Sequence, residues 1–190
     1  LPYEHVRVET RFPEDRWVSE IEIIPGEKSV VHHVSVMLGD SPVPGGAGVF
    51  AVYVPGSGHV IYPEGMAKKL PAGETLVFEM HYTPVGKPVE DTTRIGMVFG
   101  EGEPEHEVLS GAVAGIRLRI PPGESEHMET AKYRLREDVE VLSVMPHMHW
   151  RGKAFTMTAA PPEGGGVAML SVPRYDVNWQ WTYRYAEPLR

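Results

Sequence analysis

Cysteine is absent from the 190 residues, which excludes both a disulfide framework and thiolate metal ligands. No apolar run approaches the roughly 18 residues of a membrane-spanning helix, so no membrane span is expected. A basic surface is also lacking, because 26 acidic residues outnumber 18 lysines and arginines and leave a formal net charge of −8. Binding to a phosphate backbone needs a basic surface, so nucleic acid is not expected as a partner.

Helical periodicity is scarce, and apolar residues instead recur at every second position. This alternation is clear from Val6 to Val8, from Ile116 to Ile120 and from Trp179 to Tyr185. The 20 glycines and 18 prolines supply frequent turn signals between such runs. A short helix is expected only near Pro63 to Lys69. Many short strands separated by turns predict an all-β fold of antiparallel sandwiches or barrels.

A domain boundary is expected within the acidic stretch "GEGEPEHEVLS", residues 100–110. This stretch contains glycine and proline, and it interrupts the alternation on either side. We therefore expect two β-domains, residues 1–104 and residues 105–190. Each of them contains its own cluster of histidines.

The first cluster includes His32 and His33, in "VVHHVSVML". Adjacent strand residues point to opposite faces, so a shared ion requires a bulge, a strand end or the use of different ring nitrogens. The alternative is one buried and one exposed histidine. In "LVFEMHYTP", His81 is expected to end a strand whose inward face carries Val77 and Glu79. His81 would complete a tris-imidazole site, and Glu79 would orient a ligand or serve as one.

The second cluster is His147 and His149, in "MPHMHWRGKAF". On a strand their side chains share one face, about 7 Å apart, with Met148 on the other face. They can therefore converge on one metal, although two half-exposed surface histidines are the alternative. Imidazoles without thiolate suit copper, zinc, nickel or iron, and thioethers favour Cu(I). Methionines near the histidine motifs tilt the choice towards copper, but methionine also fills cores.

Taken in order, these motifs resemble the copper type II, ascorbate-dependent monooxygenases, which include the peptidylglycine α-hydroxylating and dopamine β-monooxygenases. The similar segments span residues 3 to about 155 in the family's order. They are "VVHHVSVML", "FAVYVPGSGHVIYPEGMAKKL", "LVFEMHYTP", "AGIRLRIPPGE" and "MPHMHWRGKAF". The chain looks most like the bacterial members, which are often parts of larger secreted proteins.

The resemblance implies two jelly-roll-like β-sandwich domains, each with one copper. It implies an electron-transfer copper on His32, His33 and His81, and an oxygen-activating copper on His147 and His149. It also implies an external reductant such as ascorbate, a fused or associated redox domain and an extracytoplasmic location. The family's third ligand at the second site is a methionine beyond the equivalent of "YRYAEPLR". Because the sequence stops at Arg190, the second domain is expected to be incomplete and to lack this methionine.

Two positions depart from the family pattern. Met145 stands where the amidating enzymes carry an arginine that holds the peptide carboxylate, and Glu79 stands where relatives often have glutamine. Peptide amidation is therefore not supported. The resemblance implies a copper-dependent monooxygenase that hydroxylates a C–H bond of an unspecified small-molecule or peptide substrate.

Two other functional classes remain open beside the monooxygenase. One is a non-catalytic copper-binding or interaction β-sandwich module of a larger secreted protein. The other is a zinc hydrolase, which needs a carboxylate base beside an open zinc. The hydrolase fits less well, because Glu79 belongs to a different cluster from His147 and His149.

Overall fold

The computed structural model describes residues 3–39, 48–115, 117–161 and 164–190. These residues contain thirteen strands and no helix, which confirms the predicted all-β class. None of the described residues therefore forms a helix that could cross a membrane. The strands are β1 (Glu4–Glu9), β2 (Arg16–Ile24), β3 (Val31–Leu38), β4 (Val49–Tyr53), β5 (His59–Ile61), β6 (Met66–Leu70), β7 (Thr75–Tyr82), β8 (Arg94–Phe99), β9 (His106–Glu107), β10 (Val141–Val144), β11 (Phe155–Ala159), β12 (Val167–Val172) and β13 (Tyr183–Leu189).

The chain divides into two compact units, Leu1–Tyr133 and Arg134–Arg190. In the first unit, one sheet has the order β1-β7-β3-β4, and the other has the order β5-β2-β6-β9 with β8 also paired to β2. Buried side chains from both sheets form one core, as expected for a β-sandwich. The core residues are Val18, Ile21, Ile23, Val30, Val31, Val34, Val36, Phe50, Tyr53, Leu70, Leu76, Phe78 and Met80.

The face of β7 that lies in the core differs from the expected one. Leu76, Phe78 and Met80 lie in the core, so Glu79 and His81 lie on the opposite face of the strand. The expectation that Glu79 faces inward is therefore wrong. Alternation alone permits either face of a strand to be buried. The arrangement that buries the larger apolar side chains is favoured, by roughly 25 cal/mol for each Å² of apolar surface removed from water.

The helix expected near Pro63 to Lys69 is also wrong. Met66 N donates to Pro63 O at 3.0 Å, which closes a turn. Strand β6 follows and pairs with the start of β2 in an antiparallel ladder. A single helical turn is unfavourable to nucleate, whereas the ladder satisfies the backbone and buries Ala67 and Leu70 in the sandwich.

The division between the units falls at residues 133 and 134, farther along than the expected boundary at residues 104 and 105. The reason is that the chain after residue 105 remains bonded to the first sandwich. Strand β9 pairs in parallel with β6, and Val108 N donates to Ala67 O at 2.8 Å. The alternating stretch that begins at Ile116 forms no strand in residues 117–120, and Ile116 itself lies outside the described residues.

The second unit contains two antiparallel pairs, β10 with β13 and β11 with β12. Its buried residues, among those described, are Pro146 and Gln180. The strand expected from Trp179 to Tyr185 begins four residues later than predicted, because β13 starts at Tyr183 and continues to Leu189. The rings of Trp179 and Trp181 nevertheless stack, with centroids 4.8 Å apart and planes inclined by 7°.

Candidate metal centre

A bulge in β3 allows two adjacent histidines to leave the strand on the same face. Val34 and Val36 point into the core, so regular alternation would direct His32 there as well. Instead Val31 lies in the core, and the register of β3 against β7 shifts between Val31 and His33. Two residues, His32 and His33, thus lie between the core residues Val31 and Val34, and the bulge brings both imidazoles to the face opposite the core.

His81 completes the cluster from the neighbouring strand. It lies directly opposite His33 in the β3–β7 ladder, where paired side chains are in contact distance. The Nδ1 atoms of His32 and His33 are 3.0 Å apart, and those of His33 and His81 are 3.3 Å apart. His33 is buried and the other two are half-buried. The structure therefore brings together the three histidines that the sequence singled out.

These separations suit a metal ion. Two nitrogens bound tetrahedrally at about 2.0 Å from a metal lie about 3.3 Å from each other, close to both observed distances. One ligand atom from each of the three histidines lies within 4.8 Å of the others. Three imidazole donors fit copper or zinc, and the arrangement is assembled by the sheet.

Tyr3 packs over this cluster. Its ring centroid is 4.8 Å from that of His81 and 5.8 Å from that of His33. Burial, together with the negative charge of Glu79, raises the pKa of Tyr3, so the phenol is protonated at neutral pH. The sequence analysis missed this residue, because the contact depends on the register of β1 against β7, in which Glu4 lies opposite Met80.

Glu79 lies on the histidine face of β7, and its carboxylate is within hydrogen-bond distance of His5. The distance from Glu79 Oε2 to His5 Nε2 is 3.3 Å, and the two residues are direct partners in the β1–β7 ladder. The sequence did not connect His5 with either cluster. The carboxylate contributes negative charge on the face where the three imidazoles meet, which favours a bound cation.

The second pair of histidines lies just beyond a strand, not within one as expected. Strand β10 ends at Val144, and Pro146 follows, which has no N–H to continue a ladder. The rings of His147 and His149 still approach each other, with centroids 5.2 Å apart and planes inclined by 86°. Both residues are exposed, so this pair is more accessible than the first cluster.

Gln180 is a further residue of the second cluster that the sequence analysis missed. Its side chain is buried, and its Oε1 lies 2.5 Å from His147 Nδ1. Its Nε2 donates to Val177 O at 2.7 Å, which orients the amide with its oxygen towards the imidazole. In the neutral ring this places the proton on Nδ1 and the lone pair on Nε2, the form that binds a metal through Nε2.

Tyr175 holds the backbone between the two histidines. Its hydroxyl accepts from Met148 N at 2.9 Å and donates to Met148 O at 2.7 Å. Gly152 N donates to His149 O at 2.8 Å, which closes the same loop, and a Cβ at residue 152 would lie 2.7 Å from Met148 Cβ and 2.9 Å from Tyr175 Cδ1. The His147–His149 loop is therefore ordered by contacts from residues 152 and 175.

The two clusters differ in the number and burial of their donors. Among the described residues, His32, His33 and His81 form the one group of three side chains spaced to hold a metal ion. His147 and His149 supply two exposed imidazoles, one of which is oriented by a buried glutamine. A comparison of the chain with protein-family models, curated proteins and solved structures found no significant match.

Proposed function

We propose that this chain is a copper-binding module of an ascorbate-dependent monooxygenase. The observation that carries the proposal is the convergence of His32, His33 and His81, whose neighbouring Nδ1 atoms lie 3.0 and 3.3 Å apart. Imidazole donors alone suit both copper and zinc and do not choose between them. The choice of copper is supported by the five motifs that resemble that family in order and spacing.

Copper, when bound, supplies the one-electron redox chemistry and oxygen activation that C–H hydroxylation requires. His32, His33 and His81 would hold the electron-transfer copper at a site that the β3 bulge and the β3–β7 ladder assemble. Tyr3 covers one side of this site.

His147 and His149 would hold the second copper, at the position where the family activates oxygen. Gln180 orients one of the two imidazoles. Two protein donors leave coordination positions for water, an anion or another ligand, and open positions distinguish catalytic metal sites from structural ones. A substrate C–H bond would be hydroxylated beside this pair.

The metal assignment is tested by titrating Cu(II) into the wild-type chain and two variants. We expect two sites in the wild type, with loss of the tighter site in His81→Ala and of the weaker site in His147→Ala/His149→Ala. His59→Ala is the matched control, because His59 pairs with Glu20 at 2.6 Å outside both clusters. An unchanged stoichiometry in His81→Ala would show that the three histidines are structural.

Catalysis is tested separately by ascorbate-driven oxygen uptake of the copper-loaded chain with candidate substrates. We expect uptake in the wild type and its loss in His147→Ala/His149→Ala. Copper binding without oxygen uptake supports a second function, that of a non-catalytic copper-binding module that delivers electrons or metal. His147 and His149 are exposed and supply only two donors, which favours the non-catalytic copper-binding module over a zinc hydrolase.

The resemblance to members found in larger secreted proteins supports an extracytoplasmic location, with a fused or associated redox domain as the source of electrons. Cell fractionation of the native host protein tests this part of the proposal. Recovery in the cytoplasmic fraction would contradict it, whatever the outcome of the copper titration.

A further inference from the structure

The carboxylate of Asp91 joins three segments of the first unit. Its Oδ1 accepts from Gly26 N and Glu27 N, both at 2.9 Å. Its Oδ2 accepts from Tyr82 OH at 3.0 Å and Thr93 Oγ1 at 2.7 Å. Hydrogen bonds to a charged carboxylate are stronger than those between neutral groups. Asp91 therefore connects the turn after β2, the end of β7 and the segment before β8.

Two of these bonds lead directly to the histidine cluster. Tyr82 follows His81 in the sequence, so the bond from its hydroxyl anchors the end of β7. Glu27 O accepts from Val31 N at 3.2 Å, immediately before His32. Val31 and Tyr82 are also partners in the β3–β7 ladder. The hydrogen bonds of Asp91 therefore lead to β3 just before His32 and to β7 just after His81.

The segments joined by Asp91 are tightly packed, and the carboxyl group of Asp91 keeps its charge. A Cβ at Gly26 would lie 2.6 Å from Thr92 N, so only glycine fits there. Burial raises the pKa of Asp91, but hydrogen bonds from Thr93, Glu27, Tyr82 and Gly26 outweigh this effect and hold it below its usual value. Asp91 is therefore ionised at neutral pH.

We propose that Asp91 is a positioning residue for the first metal site. It holds the turn before His32 and the strand end after His81 at the separation that lets three imidazoles share one ion. This inference rests on the proposed function of the cluster. Groups that orient ligands typically change metal affinity by about 10- to 100-fold when they are removed, so the role of Asp91 is measurable.

Asp15 provides a matched control. Its Oδ1 accepts from Ala72 N at 2.8 Å, and its Oδ2 pairs with Lys69 Nζ at 2.7 Å. It therefore also fastens a turn to a strand, but at the opposite end of β7, about 20 Å along the strand from His81. Asp91→Ala and Asp15→Ala both remove a carboxylate that bonds a turn to a strand. Asp91→Asn keeps the size of the side chain and covers the case in which Asp91→Ala does not fold.

The experiment is a Cu(II) titration with electron paramagnetic resonance spectra of the bound metal. We expect Asp91→Ala to weaken copper at the first site by about 10-fold or more and to alter the copper hyperfine splitting. Asp91→Asn should show a smaller change in the same direction, whereas Asp15→Ala should lower the melting temperature and leave affinity and spectrum unchanged. Wild-type affinity and spectrum in both Asp91 variants, or an equal loss in Asp15→Ala, would overturn the inference.

Failure of the proposed function gives a different result. If the wild-type chain itself binds no copper, the metal site is wrong, and the positioning role is then judged on the metal-free protein. Nuclear magnetic resonance signals of the imidazoles of His32, His33 and His81 should shift in Asp91→Asn and not in Asp15→Asn. Unchanged imidazole signals in Asp91→Asn would overturn the positioning role as well.

Discussion

Lys68 is a buried cation held by neutral acceptors. Its Nζ donates to Val49 O at 3.2 Å, to Phe50 O at 3.0 Å and to Ser110 Oγ at 2.6 Å. Burial lowers the pKa of Lys68 to about 8, because the charged form loses its hydration. The residue links β4, β6 and the chain after β9, and it explains in part why residue 110 belongs to the first unit.

This lowered pKa predicts a pH-dependent contribution to stability. Between pH 8 and about 10.4 the unfolded chain keeps a proton on Lys68 that the folded chain has released. The contribution of Lys68 to the free energy of unfolding therefore rises with pH across this window, by up to about 3 kcal/mol. Urea unfolding at pH 7 and pH 10 should show the wild type gaining stability relative to Lys68→Met.

Lys69 supplies the control for that measurement. It is more exposed than Lys68, and its bond to Asp15 raises its pKa, so its effect has the opposite sign. The difference between wild type and Lys69→Met should not grow between pH 7 and pH 10. A flat difference for Lys68→Met as well would contradict the predicted cost of burying the charge.

At the scale of the element, the approach between β2 and the turn before β5 depends on Gly58. Its carbonyl accepts from Ile23 N at 2.8 Å. A Cβ at Gly58 would lie 2.5 Å from Tyr53 Cδ2 and 2.9 Å from Ile23 O. The backbone oxygen cannot rotate away as a side chain can, so the strand itself must shift.

We therefore expect Gly58→Ala to lower the free energy of unfolding by roughly 1–3 kcal/mol, the usual range for overpacking. Gly111→Ala is the control, because no atom of the described residues, apart from its two chain neighbours, lies within 4 Å of the added Cβ, and the loss of unfolded-state entropy slightly favours folding. Urea denaturation of both variants tests the difference. Equal stability of the two would mean that β2 and the turn before β5 can separate without cost.

At the scale of the whole molecule, a long irregular segment separates the last strand of the first unit from the first strand of the second. The described residues between 109 and 139 include no strand. Apolar side chains in it are highly exposed, with Leu109 at 78%, Met128 at 86% and Tyr133 at 67%. The division between the two compact units also falls here, at residues 133 and 134.

Limited trypsin digestion should therefore cut this segment before any strand of the first sandwich, since exposed irregular backbone is cleaved first. The expected early sites are Arg117, Arg119, Lys132, Arg134 and Arg136. Mass spectrometry should identify an amino-terminal fragment that contains β1 to β9 and retains the tighter copper site. Early cleavage at Lys28, between β2 and β3, would contradict this expectation.

The amino-acid sequence by itself determined the all-β class and the identity of the first histidine cluster. Alternation of apolar residues every second position is a local property, and it specifies strands wherever they pair. The adjacency of His32 and His33 left a bulge, a strand end or the use of different ring nitrogens as ways for them to share an ion, and the structure shows a bulge in β3. His81 followed from its motif, which the resemblance supplied.

Only the tertiary structure decided which groups surround the two histidine clusters. Tyr3 and Gln180 contact the histidines through strand register or from a segment distant in sequence, and Asp91 bonds to Tyr82, the residue after His81. The phase of β7 was also decided at this level, because alternation is symmetric and either face of an isolated strand can be buried. Local pattern specifies that a residue lies on one face of a strand, whereas packing between sheets selects which face becomes the core and which becomes the site.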